Sequence, residues 1–217
     1  MSSPQTRFWE LKLDELKTTL QKNHFEVHLA TDAEAAKQLC LEKLIPAVNP
    51  QSISWGGSMT FIACGLYHEI RGRSDVQILD TFDKNLTSEQ LLERRRQALG
   101  VDLFFCGTNA VTEKGQLVNL DMIGNRVAAL TFGPRAVIIL VGRNKIVTDL
   151  GAAMDRVKRY AAPANVLRLD KKTPCAVTGR CQDCNAPDRI CNSWTITEKS
   201  YPKERIKVIL INQDLGL

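Results

Sequence analysis

Three runs of this chain are apolar almost without interruption: VDLFFC (101–106), AVIILVG (136–142) and RIKVILI (205–211). A strand with one wet face alternates apolar and polar residues. A run without alternation must be covered on both faces, as strands of a parallel sheet are. Parallel neighbours need long crossovers, so helices should lie between such runs. The intervening sequence supplies them. Ser3-Pro4 reads as N-cap and first residue of a helix over 4–23, with Trp9, Leu13, Leu16 and Leu20 on one stripe. FEVHLA (25–30) reads as a strand, and Thr31 or Asp32 caps a second helix that carries Ala36, Leu39, Cys40 and Leu44 on one side and ends at Pro46. SISW (52–55) is a short strand, SMTFIACGLYHEI (58–70) a helix and VQIL (76–79) a strand. Thr87 and Gln90 form a capping box, and a helix runs from Val147 to Tyr160. AVTEKGQLVNL (110–120) alternates around Glu113-Lys114-Gly115, as a β-hairpin does. The expected class is α/β: one domain over 1–217, a mostly parallel sheet flanked by helices, an inserted hairpin, and a cysteine-rich loop over 172–194.

Charge and composition narrow the partners. No apolar run approaches the ~18–20 residues of a membrane span, and MSSPQTRFWELK lacks the basic-then-apolar pattern of a secretory signal. A cytoplasmic chain with reduced thiols is expected. The net charge is +5, and only 6% of residues are aromatic. Arg94-Arg95-Arg96 and Arg156/Lys158/Arg159 fall near helix ends and read as solvated faces. Without a basic stripe interleaved with aromatics, nucleic acid is not an expected partner, whereas small anionic ligands suit the charge. The stripe ending in Leu20 suits core burial or a homodimer interface equally.

Three places carry residues suited to chemistry. In SWGGSMT (54–60), a strand ends at Gly56-Gly57 and a helix begins, with the Ser58 and Thr60 hydroxyls beside the first helical N–H groups. Such a turn binds phosphate or carboxylate, although it lacks the Walker lysine and the GxGxxG spacing. It reads equally as a tight turn capped by Ser58. In CGTNAVTEKGQLVNLDMIGNR (106–126), Gly107-Thr108-Asn109 end a strand, Asn125 and Arg126 open the next segment, and Arg126 offers a bidentate anion clamp. Glu113 is a candidate base or nucleophile there, or an ordinary polar turn residue. His24, His28 and His68 are scattered, while Cys40, Cys64 and Cys106 read as small buried hydrophobes.

The third place is PCAVTGRCQDCNAPDRIC (174–191), where Cys175, Cys181, Cys184 and Cys191 form C-x5-C-x2-C-x6-C. The single C-x2-C pair is a usual chelating step. A four-cysteine zinc site normally has two such pairs, and the ferredoxin spacings do not match. Zinc, an iron–sulfur cluster, a redox disulfide and free thiols all stay open. Arg180 and Arg189 would offset the charge of a thiolate-bound centre.

Taken together, SWGGSMT, GTNAVTEKGQLVNLDMIGNRVAAL, GPRAVIILVGRNKIV, AAPANVLRL and TPCAVTGRCQDCNAPDRICN resemble the LUD-domain family, the lactate-utilisation proteins related to the C subunit of the lactate-oxidation system. The resemblance spans nearly the whole chain. It implies a fold similar to the glucosamine-6-phosphate isomerase, ribose-phosphate isomerase and CoA-transferase group. Asn144 and Lys145, in GPRAVIILVGRNKIV, join Gly56, Gly57, Ser58, Thr60, Gly107, Thr108, Asn109, Asn125 and Arg126 as candidate ligand-binding residues. In related CoA-transferases a glutamate after a strand is the nucleophile, and Glu113 is its best-placed counterpart. The function implied is an accessory or redox subunit for oxidation of L-lactate to pyruvate, working with iron–sulfur partner subunits. Its small anionic ligand would sit at the GGS turn, and its metal or cluster in the quartet. The alternative is a stand-alone enzyme on a sugar-phosphate or CoA-linked substrate using Glu113 or Ser58. A non-catalytic, metal-stapled module is the third possibility.

Overall fold

A computed structural model describes residues 3–217. From the N-terminus run α1 (Pro4–Lys22), β1 (Glu26–Ala30), α2 (Ala33–Gln38), α3 (Ile45–Val48), β2 (Ser52–Trp55), α4 (Met59–Ala63), α5 (Leu66–Arg71) and β3 (Gln77–Leu79). Next come α6 (Ser88–Gln97), β4 (Leu103–Gly107), β5 (Ala110–Thr112), β6 (Leu117–Asp121), α7 (Asn125–Thr131), β7 (Ala136–Gly142) and β8 (Ile146–Val147). The chain closes with α8 (Leu150–Arg156), α9 (Ala162–Arg168), α10 (Pro174–Thr178), β9 (Ser193–Thr197) and β10 (Ile206–Ile211).

The class is α/β. A six-stranded sheet has the order β1-β10-β7-β4-β2-β3, and every pairing in it is parallel. The three unbroken apolar runs are its centre, β4, β7 and β10, and all seven residues of β7 are buried. Period-2 geometry splits β7 between two cores. Val137, Ile139 and Val141 join Leu13, Leu16 and Leu20 of α1 on one face. Ile138 and Leu140 join Ala36, Cys40, Leu44, Trp55, Phe61 and Leu66 on the other. The apolar stripe of α1 therefore belongs to the core of its own chain. Truncating the fully buried Leu20 to Ala should cost about 2–5 kcal/mol.

The hairpin forms, with β5 antiparallel to β6, but it leaves the main sheet. It sits inside a second sheet of order β8-β5-β6-β9. Neither β8 nor β9 is legible in the sequence: β8 is two residues long, and β9 is half-exposed with no apolar run.

Pro46 does not end the second helix. A widened π turn over Leu39–Leu44 joins α2 to α3, and the helical path ends at Asn49, whose φ is +47°. A proline lacks an N–H and its ring clashes with the carbonyl four residues back, and the wider turn opens that contact. The same device recurs at Val157–Ala161 ahead of Pro163, so the helix expected to stop at Tyr160 continues to Arg168. The helix expected over 58–70 breaks instead at Gly65, whose φ is +72°, giving α4 and α5.

Candidate functional site

The C-terminal ends of β2, β4 and β7 converge where open parallel sheets commonly bind ligands. Arg126, at the start of α7, is the hub of this edge and is 7% exposed. Its Nε donates to Asp121 Oδ2 (3.2 Å). Its Nη1 donates to Gly107 O (3.1 Å) and to Asn119 Oδ1, and its Nη2 to Asn109 Oδ1 and Leu120 O (3.0 Å each). A guanidinium has five N–H donors, and all five are engaged. Arg126 is thus a tie between β4, β6 and α7, and it keeps no donor for the anion clamp expected of it. Thr108 has an internal role too, donating to Ala110 O and Val118 O. Asn109 accepts from Leu120 N at 2.9 Å as well as from Arg126. Asn125 opens α7 beside this hub.

The GGS turn packs against the same hub. A Cβ on Gly56 would meet Arg126 Cγ at 3.1 Å, and one on Gly107 would meet Ser58 Oγ at 2.7 Å. Gly56 N donates to Phe105 O (2.9 Å), extending the strand pairing rather than facing a ligand. Ser58 is the N-cap of α4, its Oγ accepting from Phe61 N at 3.2 Å. With only five residues, α4 has little dipole of its own to attract an anion.

Among the described residues, Lys145 is a buried cation at this edge with no acidic partner. It follows β7, is 4% exposed, and donates from Nζ to Thr60 Oγ1 of α4 at 2.9 Å. Burial, and then the positive charges of Arg156 and Arg126, push its amine down to about 7. Cys64 and Cys106 lie within electrostatic reach. Burial raises their thiols to about 11 and about 12, so they stay protonated and unreactive. The segment after β10 packs over Lys145 and Thr60. Thr60 Oγ1 donates to Leu215 O (3.3 Å), Leu215 N donates to Asn144 Oδ1 (3.0 Å), and Asn144 Nδ2 donates to Gly216 O (3.3 Å). A Cβ on Gly216, whose φ is +69°, would come within 2.6 Å of Thr60 Oγ1 and 3.2 Å of Lys145 Nζ.

Glu113 stands apart. It is exposed on the hairpin turn, and its Oε1 accepts from Lys12 Nζ of α1 at 2.7 Å. No hydrogen bond among the described residues joins it to Ser58, Arg126 or Lys145.

The cysteine loop gathers at the opposite margin of the small sheet. Cys175, Cys181, Cys184 and Cys191 all line one cavity of about 20 Å³, together with Val166, Ile190, Lys158 and Arg189. None of the four is in a disulfide. Among the described residues, no three acidic, histidine or cysteine side chains are placed, as they stand, to hold a metal ion. Arg189 donates to the carbonyls of Cys184 and Cys191, and Lys158 pairs with Asp183.

Two site residues escaped the sequence reading. Arg156, read as a solvated helix-end cation, instead donates to Asn144 O (3.1 Å) and Asn109 O (2.6 Å), with its guanidinium 5.5 Å from the centre of the Tyr160 ring. Asp121 is the other: it holds Arg126 and also accepts from Gly124 N at 2.9 Å. Arg156 reaches back to segments far off in the sequence, which periodicity cannot report, whereas Asp121 acts within a short turn that has no period to mark it. Among the described residues, no helix is long and apolar enough to cross a membrane.

Comparison with known proteins bears on this arrangement. A crystal structure of a DUF162 family protein from Deinococcus radiodurans aligns with 94% of this chain and 98% of its own, at 15% identity and a TM-score of 0.50. Ribose 5-phosphate isomerase from Plasmodium falciparum aligns over 53% of this chain and 54% of its own (15% identity, TM-score 0.30). Ribose 5-phosphate isomerase A from Neisseria gonorrhoeae aligns over 64% and 66% (17% identity, TM-score 0.34). No curated protein sequence matches the chain. The model of the LUD domain family matches residues 13–211, from the first buried leucine of α1 to the end of β10, and the chain belongs to that family.

Proposed function

We propose that this chain is a lactate-utilisation-type protein that takes a small organic anion, of the lactate or pyruvate class, beside Lys145 and serves L-lactate oxidation alongside iron–sulfur partner subunits. The observation that supports the reading is Lys145 itself. A buried ammonium with a hydroxyl as its hydrogen-bond partner costs stability unless it sheds its proton or meets an anion. Its place at the C-terminal edge of a parallel sheet is where such a ligand would be sought. A carboxylate bound there would accept from Lys145 Nζ, with the Thr60 hydroxyl at the α4 side and the Leu215-Gly216 segment as a cover that yields to it.

The alternative catalyst, Glu113, is exposed and ion-paired with Lys12, which is unlike the dry setting a raised carboxyl pKa requires. Thermal-shift titration of the chain and of Lys145→Met with L-lactate, pyruvate, ribose 5-phosphate and CoA tests the reading. Stabilisation by lactate or pyruvate that disappears in the variant supports it. A response confined to the sugar phosphate or CoA refutes it.

A further inference from the structure

We propose that Cys175, Cys181, Cys184 and Cys191 hold a single thiophilic divalent ion of the zinc class, which clips the 172–194 loop to α9 and to the end of β6. This is independent of the anion reading above.

Sequence spacing left a metal, a cluster, a disulfide and free thiols open; the fold adds three observations. First, all four cysteines line one cavity although up to sixteen positions separate them along the chain, and no disulfide pairs any two. Second, the cavity measures about 20 Å³. That is on the scale of one water-sized sphere, roughly 10–15 Å³. It suits one ion in a tetrahedral shell better than the eight inorganic atoms of a four-iron cluster. Third, the surroundings are those of a compact anionic centre. Val166 and Ile190 line the cavity with apolar surface, and Arg189 and Lys158 line it with positive charge, that of Lys158 shared with Asp183. Arg189 also holds the loop by the carbonyls of Cys184 and Cys191.

Binding replaces four S–H protons, released to solvent, with four metal–sulfur bonds and involves no change of oxidation state. The shell closes by turning the half-buried Cys181, Cys184 and Cys191 thiols toward the buried Cys175. Three carbon–sulfur arms can do this while the backbone keeps its ties. The clip acts beyond the loop, because Asn192, next to Cys191, donates from its backbone N to Asp121 O (3.1 Å) and from Nδ2 to Met122 O (3.0 Å). Asp121 is the carboxylate that holds Arg126. The ion therefore braces the β6 end of the Arg126 hub.

The test uses the full chain, expressed in zinc-supplemented medium and purified without chelator. Metal analysis should find about one zinc per chain and no stoichiometric iron or sulfide. Exchange with Co²⁺ should give the intense ligand-field and charge-transfer bands of a tetrahedral thiolate site. Cys184→Ser should weaken metal retention against a competing chelator by roughly tenfold or more, while Cys40→Ser, in the core of the main sheet, should leave it unchanged. Should Cys184→Ser fail to fold, stripping the wild-type chain with chelator answers the same question, since four additional thiols should become reactive as the ion leaves. Iron with sulfide would overturn the single-ion assignment. A wild-type chain that takes up neither zinc nor cobalt and shows all four thiols reactive from the start would overturn the site altogether.

Discussion

Lys145 Nζ lies 2.9 Å from Thr60 Oγ1, a bond that joins the loop after the central strand to the first turn of α4. A hydroxyl thus stands where a buried lysine would ordinarily meet a carboxylate.

That pairing sets a pH dependence of stability. The amine is lowered from 10.5 to about 7, chiefly by burial. Below about pH 7 both folded and unfolded chains carry the proton, and the folded state bears the full cost of the buried charge. Between there and the unfolded value the unfolded chain binds more protons, so stability rises with pH. Lys145→Met should therefore raise the melting temperature at about pH 6, with the gain shrinking toward about pH 9. Melting curves of both proteins across that range decide it; a difference independent of pH would rule the linkage out.

An anion bound beside Lys145 favours its protonated form, so affinity should be greatest below about pH 7 and fall by up to about tenfold per unit above it. Calorimetric titration with pyruvate at several pH values measures the slope. Undiminished binding well above pH 7 would place the anion elsewhere.

Arg126→Ala removes five hydrogen bonds at once and strands the Asp121 carboxylate, whose side chain is only 10% exposed. The expected loss is about 3–5 kcal/mol, the range for breaking a buried pair. Arg126→Lys should recover only part, because an ammonium cannot reproduce the planar fork. Urea denaturation of the three proteins gives the ordering, and equal stability of Arg126→Lys and wild type would contradict it.

Gly142→Ala would place a Cβ 2.6 Å from Asn144 Oδ1 and 2.7 Å from Leu215 N. The overpacking should cost about 1–3 kcal/mol and lift the Leu215-Gly216 segment from Lys145. Acetylation of Lys145, followed by peptide mass spectrometry, should then proceed faster than in the parent. Unchanged labelling would show that this segment does not guard the amine.

Glu113→Gln should leave the melting temperature nearly unchanged, since the pair it makes with Lys12 is exposed to solvent. Ligand-induced thermal shifts should be the same as in wild type. Loss of those shifts would restore Glu113 to the site.

Local chemistry carried much of this protein into the sequence. Unbroken apolar runs announced β4, β7 and β10 because a strand covered on both faces has no position for a polar residue. The 3.6-residue period marked α1, whose Leu13, Leu16 and Leu20 are all buried, and Thr87 with Gln90 marked the start of α6. The candidate site was legible as a set of residues at strand ends, not as an arrangement. That Arg126 has every donor engaged, that Glu113 faces solvent, and that Arg156 reaches Asn109 and Asn144 are outcomes of chain crossings, which one-dimensional spacing does not encode. The same holds for β9, a strand because β6 offers it an edge, and for the four cysteines, whose common cavity exists only once α9 and the loop are packed together. Backbone periodicity and capping depend on neighbours within a few residues, so the sequence determined the elements and the class of fold. Burial, charge and donor count depend on residues brought in from elsewhere in the chain, so the tertiary structure alone decided what each polar group at the site can do.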